Sequence, residues 1–454
     1  MANKNILTIS SKTLMVEQVY FSPVAVVPPN DYNEQTIYTF LSKVEPWVDD
    51  ENIPEPTSDE KYKKQVFKNM FVAKKVKSSD ISPVLPRVNW ESGTIYDYYR
   101  DDVDMTAVDE NGNLLYNFYV KNRYDQVFKC LWNNDGDTST EEPYFEPGSY
   151  NTNNVFQSVD GYKWKYIYTI DLGLKVKFMD DTWIPIPVGA NTTNPLQTSA
   201  GAGSIDVINV TNVGSGYDPA NALVTITITG DGTGANATSN VVNGQLVDVI
   251  VTSPGSNYTY ANVSITSALG SNATAIAPVS PVGGHGFDPI TELGARHVMI
   301  TTEFNNTENG VLPVDIDFHQ IGLLVNPTTY ANYPVPANSE IYRTTTDLIV
   351  APGFGVYFSD EYVFQGNTLE DSTFSARVLS FNTSTNVLYL INTTGTLTLN
   401  APIFGDTSKT TRTLLSYSTP SLAPFSGNMI LIENRSAVQR SADGIEQFRF
   451  VLGY

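Results

Sequence analysis

The chain has 454 residues, 41% of them hydrophobic and 17% charged, with a formal net charge of −21 from 27 Lys+Arg against 48 Asp+Glu. A field of that sign repels phosphate backbones and anionic membranes, which disfavours nucleic acid as a partner. No apolar run approaches the roughly 20 residues of a spanning helix, so membrane insertion is not expected.

Cys130 is the single cysteine. It excludes an internal disulfide framework and suits synthesis in a reducing cytoplasm. The opening residues, MANKNILTISSKTLMVEQVYF, lack the apolar stretch and cleavage site of a signal peptide. Tyr 26 and Phe 21 with Gly 31 and Pro 26 favour strands joined by tight turns. The expected class is mainly β and multi-domain: a sandwich or sheet core, a few short helices and two inserted small β domains.

In chain order, Ile6-Leu7-Thr8-Ile9 reads as a strand, after which Ser10 or Ser11 caps a helix over Leu14, Val16, Val19 and Tyr20. Pro23, Pro28 and Pro29 stop regular structure until an alternating strand at Thr36 to Phe40, which ends at Glu45-Pro46-Trp47. An acidic, Pro-rich loop follows. Thr57-Ser58-Asp59-Glu60 then forms a capping box for a helix carrying Tyr62, Val66, Phe67, Met70 and Phe71. Val84 to Arg87 and Trp90 form a strand and turn, and Asn111-Gly112 marks a hairpin. Val127 to Trp132 is a strand. After the Asp160-Gly161 turn, Tyr162 to Tyr168 places aromatics on one face and Lys163 and Lys165 on the other.

From 199 to 281 the composition turns to small and β-branched residues, and the chain repeats itself. Gly214-Ser215-Gly216-Tyr217 returns as Gly255-Ser256-Asn257-Tyr258; the strands Val224 to Ile228 and Val263 to Ile265 follow. Gly232-Thr233-Gly234-Ala235 and Gly270-Ser271-Asn272-Ala273 close the two copies. Two copies predict a paired β module rather than a solenoid. From 328 to 425, evenly spaced strands at 376–381, 387–391 and 395–399 predict a small sandwich or barrel. The run Met429 to Ile432 has the apolar continuity of a strand covered on both faces. Beyond the Asp443-Gly444 turn, Phe448, Phe450 and Leu452 alternate with Arg449, Val451 and Gly453 as in a strand with one core-facing side.

Five short stretches stand in a common order: Glu45-Pro46-Trp47; Pro86-Arg87 with Trp90; Gly161-Tyr162 with Trp164 and Tyr166; Gln320-Ile321 through Asn326-Pro327; and the terminal MILIENR ahead of a Phe-rich strand. In these the chain resembles the baseplate wedge protein of T-even-type contractile-tailed phages, the gene-eight product family, over most of 1–195, 285–327 and 427–454. The resemblance implies a discontinuous core of 1–198, 282–327 and 426–454, with the 199–281 and 328–425 modules inserted. It further implies a structural subunit located in the virion tail baseplate. That subunit would pair with itself as a dimer, contact other wedge subunits, and help relay host contact to sheath contraction. Aromatic and Arg anchors are the expected interface residues: Trp47, Arg87, Trp90 and Arg435. The rival reading is a tail-associated carbohydrate-binding adhesin or depolymerase that uses the inserted modules.

Sequence signals for chemistry are sparse, and no enzyme, cofactor or metal centre is expected. His285, His297 and His319 have no i+4 or Cys partner. No Gly-x-Ser-x-Gly elbow occurs, and Cys130 lies inside a strand pattern, which reads as buried and inert. Asn133 to Asp137 with Glu141 and Glu142 offers oxygens to calcium at a spacing unlike an EF-hand, and reads as a solvated loop. Asp101, Asp102 and Asp104 lie near Tyr96, Tyr98 and Tyr99, which read as core or interface residues rather than sugar platforms.

Overall fold

The computed structural model describes residues 5–7, 36–110, 112–146, 155–187, 200–218, 224–331, 335–441 and 443–453. The chain is mainly β, with three short helices among these residues. It divides into two compact units, Met1–Ile81 with Val298–Tyr454, and Ser82–His297. The stretches 1–198 and 282–327 are therefore each shared between units. The helix expected over Leu14 to Tyr20 lies outside the described residues.

The first unit is organised on a six-stranded sheet in the order Asn5–Leu7, Asn428–Arg440, Ile316–Val325, Ile37–Ser42, Met70–Lys75, Ile341–Arg343. Its strands pair antiparallel throughout the described residues. Asn428–Arg440 sits inside the sheet, Leu431 facing both Leu7 and Leu323. Both faces are covered, which is why Met429 to Ile432 has no polar alternation. For the same reason Ile37–Ser42, read as alternating, is buried at all six positions. Ile37 and Leu41 enter one core with Phe71, Phe318, Phe448 and Phe450. Tyr38 and Phe40 enter another with Val66, Met70 and Met429.

Helix Glu60–Asn69 covers the second core. Its N-cap is Asp59, which accepts from the Tyr62 N–H, rather than Thr57. It stops at Asn69, so Met70 and Phe71, expected on the helix, open the strand Met70–Lys75. Ile445–Gly453 lies beside His297–Asn305, with Phe448, Phe450 and Leu452 buried and Arg449 exposed, in keeping with its alternation.

The second part of this unit is a closed barrel of Thr346–Val350, Val387–Gly395, Phe374–Asn382, Tyr362–Gln365, Pro402–Gly405 and Thr411–Ser418. Closure leaves no free edge. Its interior is filled by Leu348, Val363, Val378, Leu388, Leu390, Ile403 and Leu414. The barrel starts at Thr346 rather than 328, since Ile341–Arg343 still belongs to the large sheet. The strand expected at 395–399 is absent: Gly395, at φ +85°, ends Val387–Gly395. Lys43 joins barrel and sheet. Its Nζ lies 2.5 Å from Asp317 Oδ1 and 3.0 Å from Asp360 Oδ1, while Arg377, fully buried, donates to Asp360 and to the Lys43 carbonyl.

In the second unit, a sheet of Tyr119–Lys121, Gln126–Trp132, Lys163–Thr169 and Val155–Gln157 separates two cores. Val127 and Ile167 face one; Phe128, Cys130, Trp164 and Tyr166 face the other. Trp164 is a core residue, stacked on Tyr162 at 5.4 Å. Helix Leu172–Phe178, capped by Asp171, was not legible in the sequence.

The repeat takes the form of three antiparallel ladders around one core: Asn209–Ser215 with Ser271–Ile276, Val224–Gly230 with Ala261–Ser267, and Thr233–Val242 with Gln245–Ser256. The two copies exchange equivalent strands, so the module has approximate two-fold symmetry. The hydroxyl of Tyr217 accepts from Ala273 N–H in the other copy, and that of Tyr258 accepts from Ala235 N–H. A Cβ at Gly270 would stand 2.3 Å from the Tyr217 ring, and one at Gly232 2.3 Å from the Tyr258 ring. This close approach is why the Gly-Ala signature recurs. Gly232→Ala and Gly270→Ala are each expected to cost about 1–3 kcal/mol through overpacking, with similar losses at the two related sites, read from urea denaturation.

Candidate interaction site

The loop between Ile37–Ser42 and helix Glu60–Asn69 contains Pro46, Pro54 and Pro56, which cannot continue a ladder. It is held instead by side chains from distant strands. Trp47 Nε1 donates to the Arg435 carbonyl at 2.6 Å, and the indole lies edge-on to His319 at 6.2 Å. Asn434 Nδ2 donates to the Pro54 carbonyl at 2.9 Å. Beneath the loop, Gln320 Nε2 donates to both Tyr62 Oη and Asn434 Oδ1, Tyr62 Oη also bonds Asn434 Oδ1 at 2.9 Å, and Ser42 Oγ donates to Gln320 Oε1. Burial raises the Tyr62 phenol and lowers the His319 imidazole from their ordinary values.

Between loop and helix lies a cleft of about 320 Å³, lined by residues that include Pro46, Trp47, Val48, Pro54, Tyr62 and Val66. Glu45, Asp49 and Asn52 also line it. Asp49 is held below the ordinary carboxylate range by hydrogen bonds from Asn52 and from the Glu51 N–H. Such a site can grip a side chain. It presents no nucleophile beside a general base.

The structure thus brings Trp47 and Arg435 together, Arg435 through its carbonyl, while its guanidinium binds Glu433 at 2.9 Å. Arg87 and Trp90 lie in the other unit. Arg87 donates to the Asp180 carbonyl at 2.7 Å and to Asn89. Trp90 donates to Ser139 Oγ at 3.0 Å and packs, half-buried, against the core of Tyr162, Trp164 and Tyr166.

The lysine face of Lys163–Thr169 holds a second cluster that sequence reasoning missed. Lys163 pairs with Asp248 and Lys165 with Asp206, both at the three-ladder module. On the neighbouring strand Lys129 Nζ lies 2.8 Å from Glu292 Oε1, 3.2 Å from His285 Nδ1 and 3.7 Å from the Tyr99 ring centre. His285 has a partner after all, seven residues along: Glu292 Oε1 at 2.8 Å, on the short helix Pro289–Leu293. All three groups are buried and satisfied by one another, which makes this a structural pin rather than a reactive centre. Its one sequence signal was Lys at alternate positions in aromatic strands.

In the other oxygen-rich loops these groups are bonded to neighbouring protein groups. Asn133 caps Gly136 and donates to the Tyr96 carbonyl; Glu142 binds Arg123; Asp102 binds Arg100; Asp104 binds Thr106. Cys130 is fully buried, and burial pushes its thiol well above the ordinary range. Protein-family models and curated proteins were both compared with the sequence, and none matches it.

Burial alone would raise the Glu292 carboxyl, but Lys129 and His285 outweigh it and hold it at about 2, against an ordinary 4.5. The unfolded chain therefore takes the proton first as pH falls. Stability contributed by this group is complete above about pH 4.5 and is lost towards pH 2. Glu292→Gln is expected to cost about 3–5 kcal/mol near neutral pH, because it strands a buried lysine. It should also flatten the dependence of stability on pH across that acid window, measured by urea denaturation at stepped pH.

Proposed function

We propose that this chain is a structural subunit of a contractile-tail baseplate wedge, of the kind represented by the gene-eight product family of T-even-type phages. The observation that carries the reading is the Trp47–Arg435 hydrogen bond. It joins the Glu-Pro-Trp stretch to the MILIENR stretch across nearly the whole chain. The neighbouring Gln320–Asn434 bond adds the Gln-Ile strand to the same cluster. The remaining two stretches also meet, since Trp90 reaches Ser139, which in turn bonds Asp160 beside the Gly161-Tyr162 turn. Stretches that resemble a family in order, and that pack into two clusters, support a shared framework better than five coincidences do.

In this role the chain works through shape and buried area rather than chemistry. The large sheet, closed on both faces, supplies a stiff body. The barrel and the three-ladder module supply further surfaces for neighbours: other wedge subunits and a second copy of the chain. Bistability in such assemblies resides in interfaces that repack between two arrangements. The chain would then act in the virion tail tip after synthesis in the host cytoplasm.

Mass spectrometry of purified tail tips should find the protein. Pull-down from disrupted virions should recover it with other baseplate chains, and light scattering should show a dimer. Its absence from tail tips, or turnover of a polysaccharide by the full-length chain, would sink the proposal in favour of the depolymerase reading.

A further inference from the structure

We infer that the Trp47 cleft receives an apolar side chain from a partner protein, carried on a segment whose flanking residues are Lys or Arg. The inference rests on the structural-subunit reading and names what that subunit grips.

The polar atoms of the cleft's two aromatic residues, Trp47 and Tyr62, are already engaged. Trp47 Nε1 is bonded to Arg435, Tyr62 Oη to Asn434 and Gln320, and Asn434 to Pro54. What remains on offer is apolar surface beside the acidic side chains of Glu45 and Asp49, with Val48 fully exposed and Pro46 and Pro54 exposed beside it. A cleft of about 320 Å³ lies at the lower end of the range that binds compact ligands. It suits a single large side chain better than a whole helix.

Charge then selects the partner. From Val44 to Glu60 the chain carries Glu45, Asp49, Asp50, Glu51, Glu55, Asp59 and Glu60, and neither lysine nor arginine. Nearby cations are partly spent: Arg377 on Asp360, Arg435 on Glu433, and Lys63 on Glu60, leaving Lys61, Lys64 and Lys68 on the exposed helix face. A rim of this sign attracts a basic segment and lowers affinity for an acidic one. It also argues against a second copy at this face, which would set acid against acid in a chain of net charge −21. The contact is therefore with a different protein.

The test uses the full-length protein and three fluorescein-labelled peptides. The first has the sequence Lys-Lys-Ile-Pro-Leu-Lys-Lys; the second replaces each Lys by Glu; the third replaces Ile and Leu by Ser. The first should bind at least tenfold more tightly than either analogue, and Trp47→Ala should weaken it by a similar factor. Because Trp47 also anchors the loop, the deciding variant is Asp50→Lys with Glu51→Lys, at two exposed positions. That variant should weaken the basic peptide tenfold and strengthen the acidic one. Equal binding of all three peptides, no binding at millimolar concentration, or no response to the charge swap would overturn the inference. Should the peptide fail while the protein is still found in tail tips, the cleft's occupant is wrong and the wedge reading stands. Should the peptide bind while the protein is missing from tail tips, the reverse holds.

Discussion

The strand Asn428–Arg440 is the constraint from which the first unit follows. It is flanked in the sheet by Asn5–Leu7 and by Ile316–Val325, so segments from both ends of the chain and from its middle share one hydrogen-bonded ladder. Two cores are then defined at once, because each strand near the centre sends alternate side chains to opposite covered faces. The polar end of the same strand does separate work. Asn434 and Arg435 hold the Pro54 carbonyl and the Trp47 indole, and so shape a loop that has no ladder of its own.

Much of this architecture was legible, and for identifiable reasons. Unbroken apolar runs such as Met429 to Ile432 report burial on both faces wherever they occur. The repeat at Tyr217 and Tyr258 was visible because a ring packed against a backbone requires glycine in each copy. The misreadings are as informative. The spacing of Tyr62, Val66 and Met70 continues smoothly across the junction of helix and strand. Nothing local marks the change at Asn69, since the first strand residues are as buried as the helix's inner face.

The partners in the ionic pins lay beyond sequence reasoning. Lys165 and Lys163 look like a solvated face until Asp206 and Asp248 are brought over them by the three-ladder module. Lys43 likewise meets its carboxylates from positions 317 and 360. Ion pairs of this kind contribute little net stability over an apolar substitute, yet they penalise any packing that leaves one partner alone. Their value here is register: they fix how elements distant in sequence seat on one another within their own unit. The four anchor residues expected on the resemblance divide in a similar way, with Trp47 and Arg435 joined beside a cleft while Arg87 and Trp90 stitch loops to a core.

The late position of Asn428–Arg440 also orders events at the ribosome. The unit Ser82–His297 is continuous, so its chain is fully made while the last third is still being translated. The other unit lacks an inner strand of its main sheet until residue 440 has emerged, leaving Ile316–Val325 exposed along one edge during that interval. Domains acquire structure as their segments leave the exit tunnel, and unpaired strands at that stage are prone to wrong partners. Nascent chains stalled before 428 would consequently depend on chaperones in a way that finished ones do not.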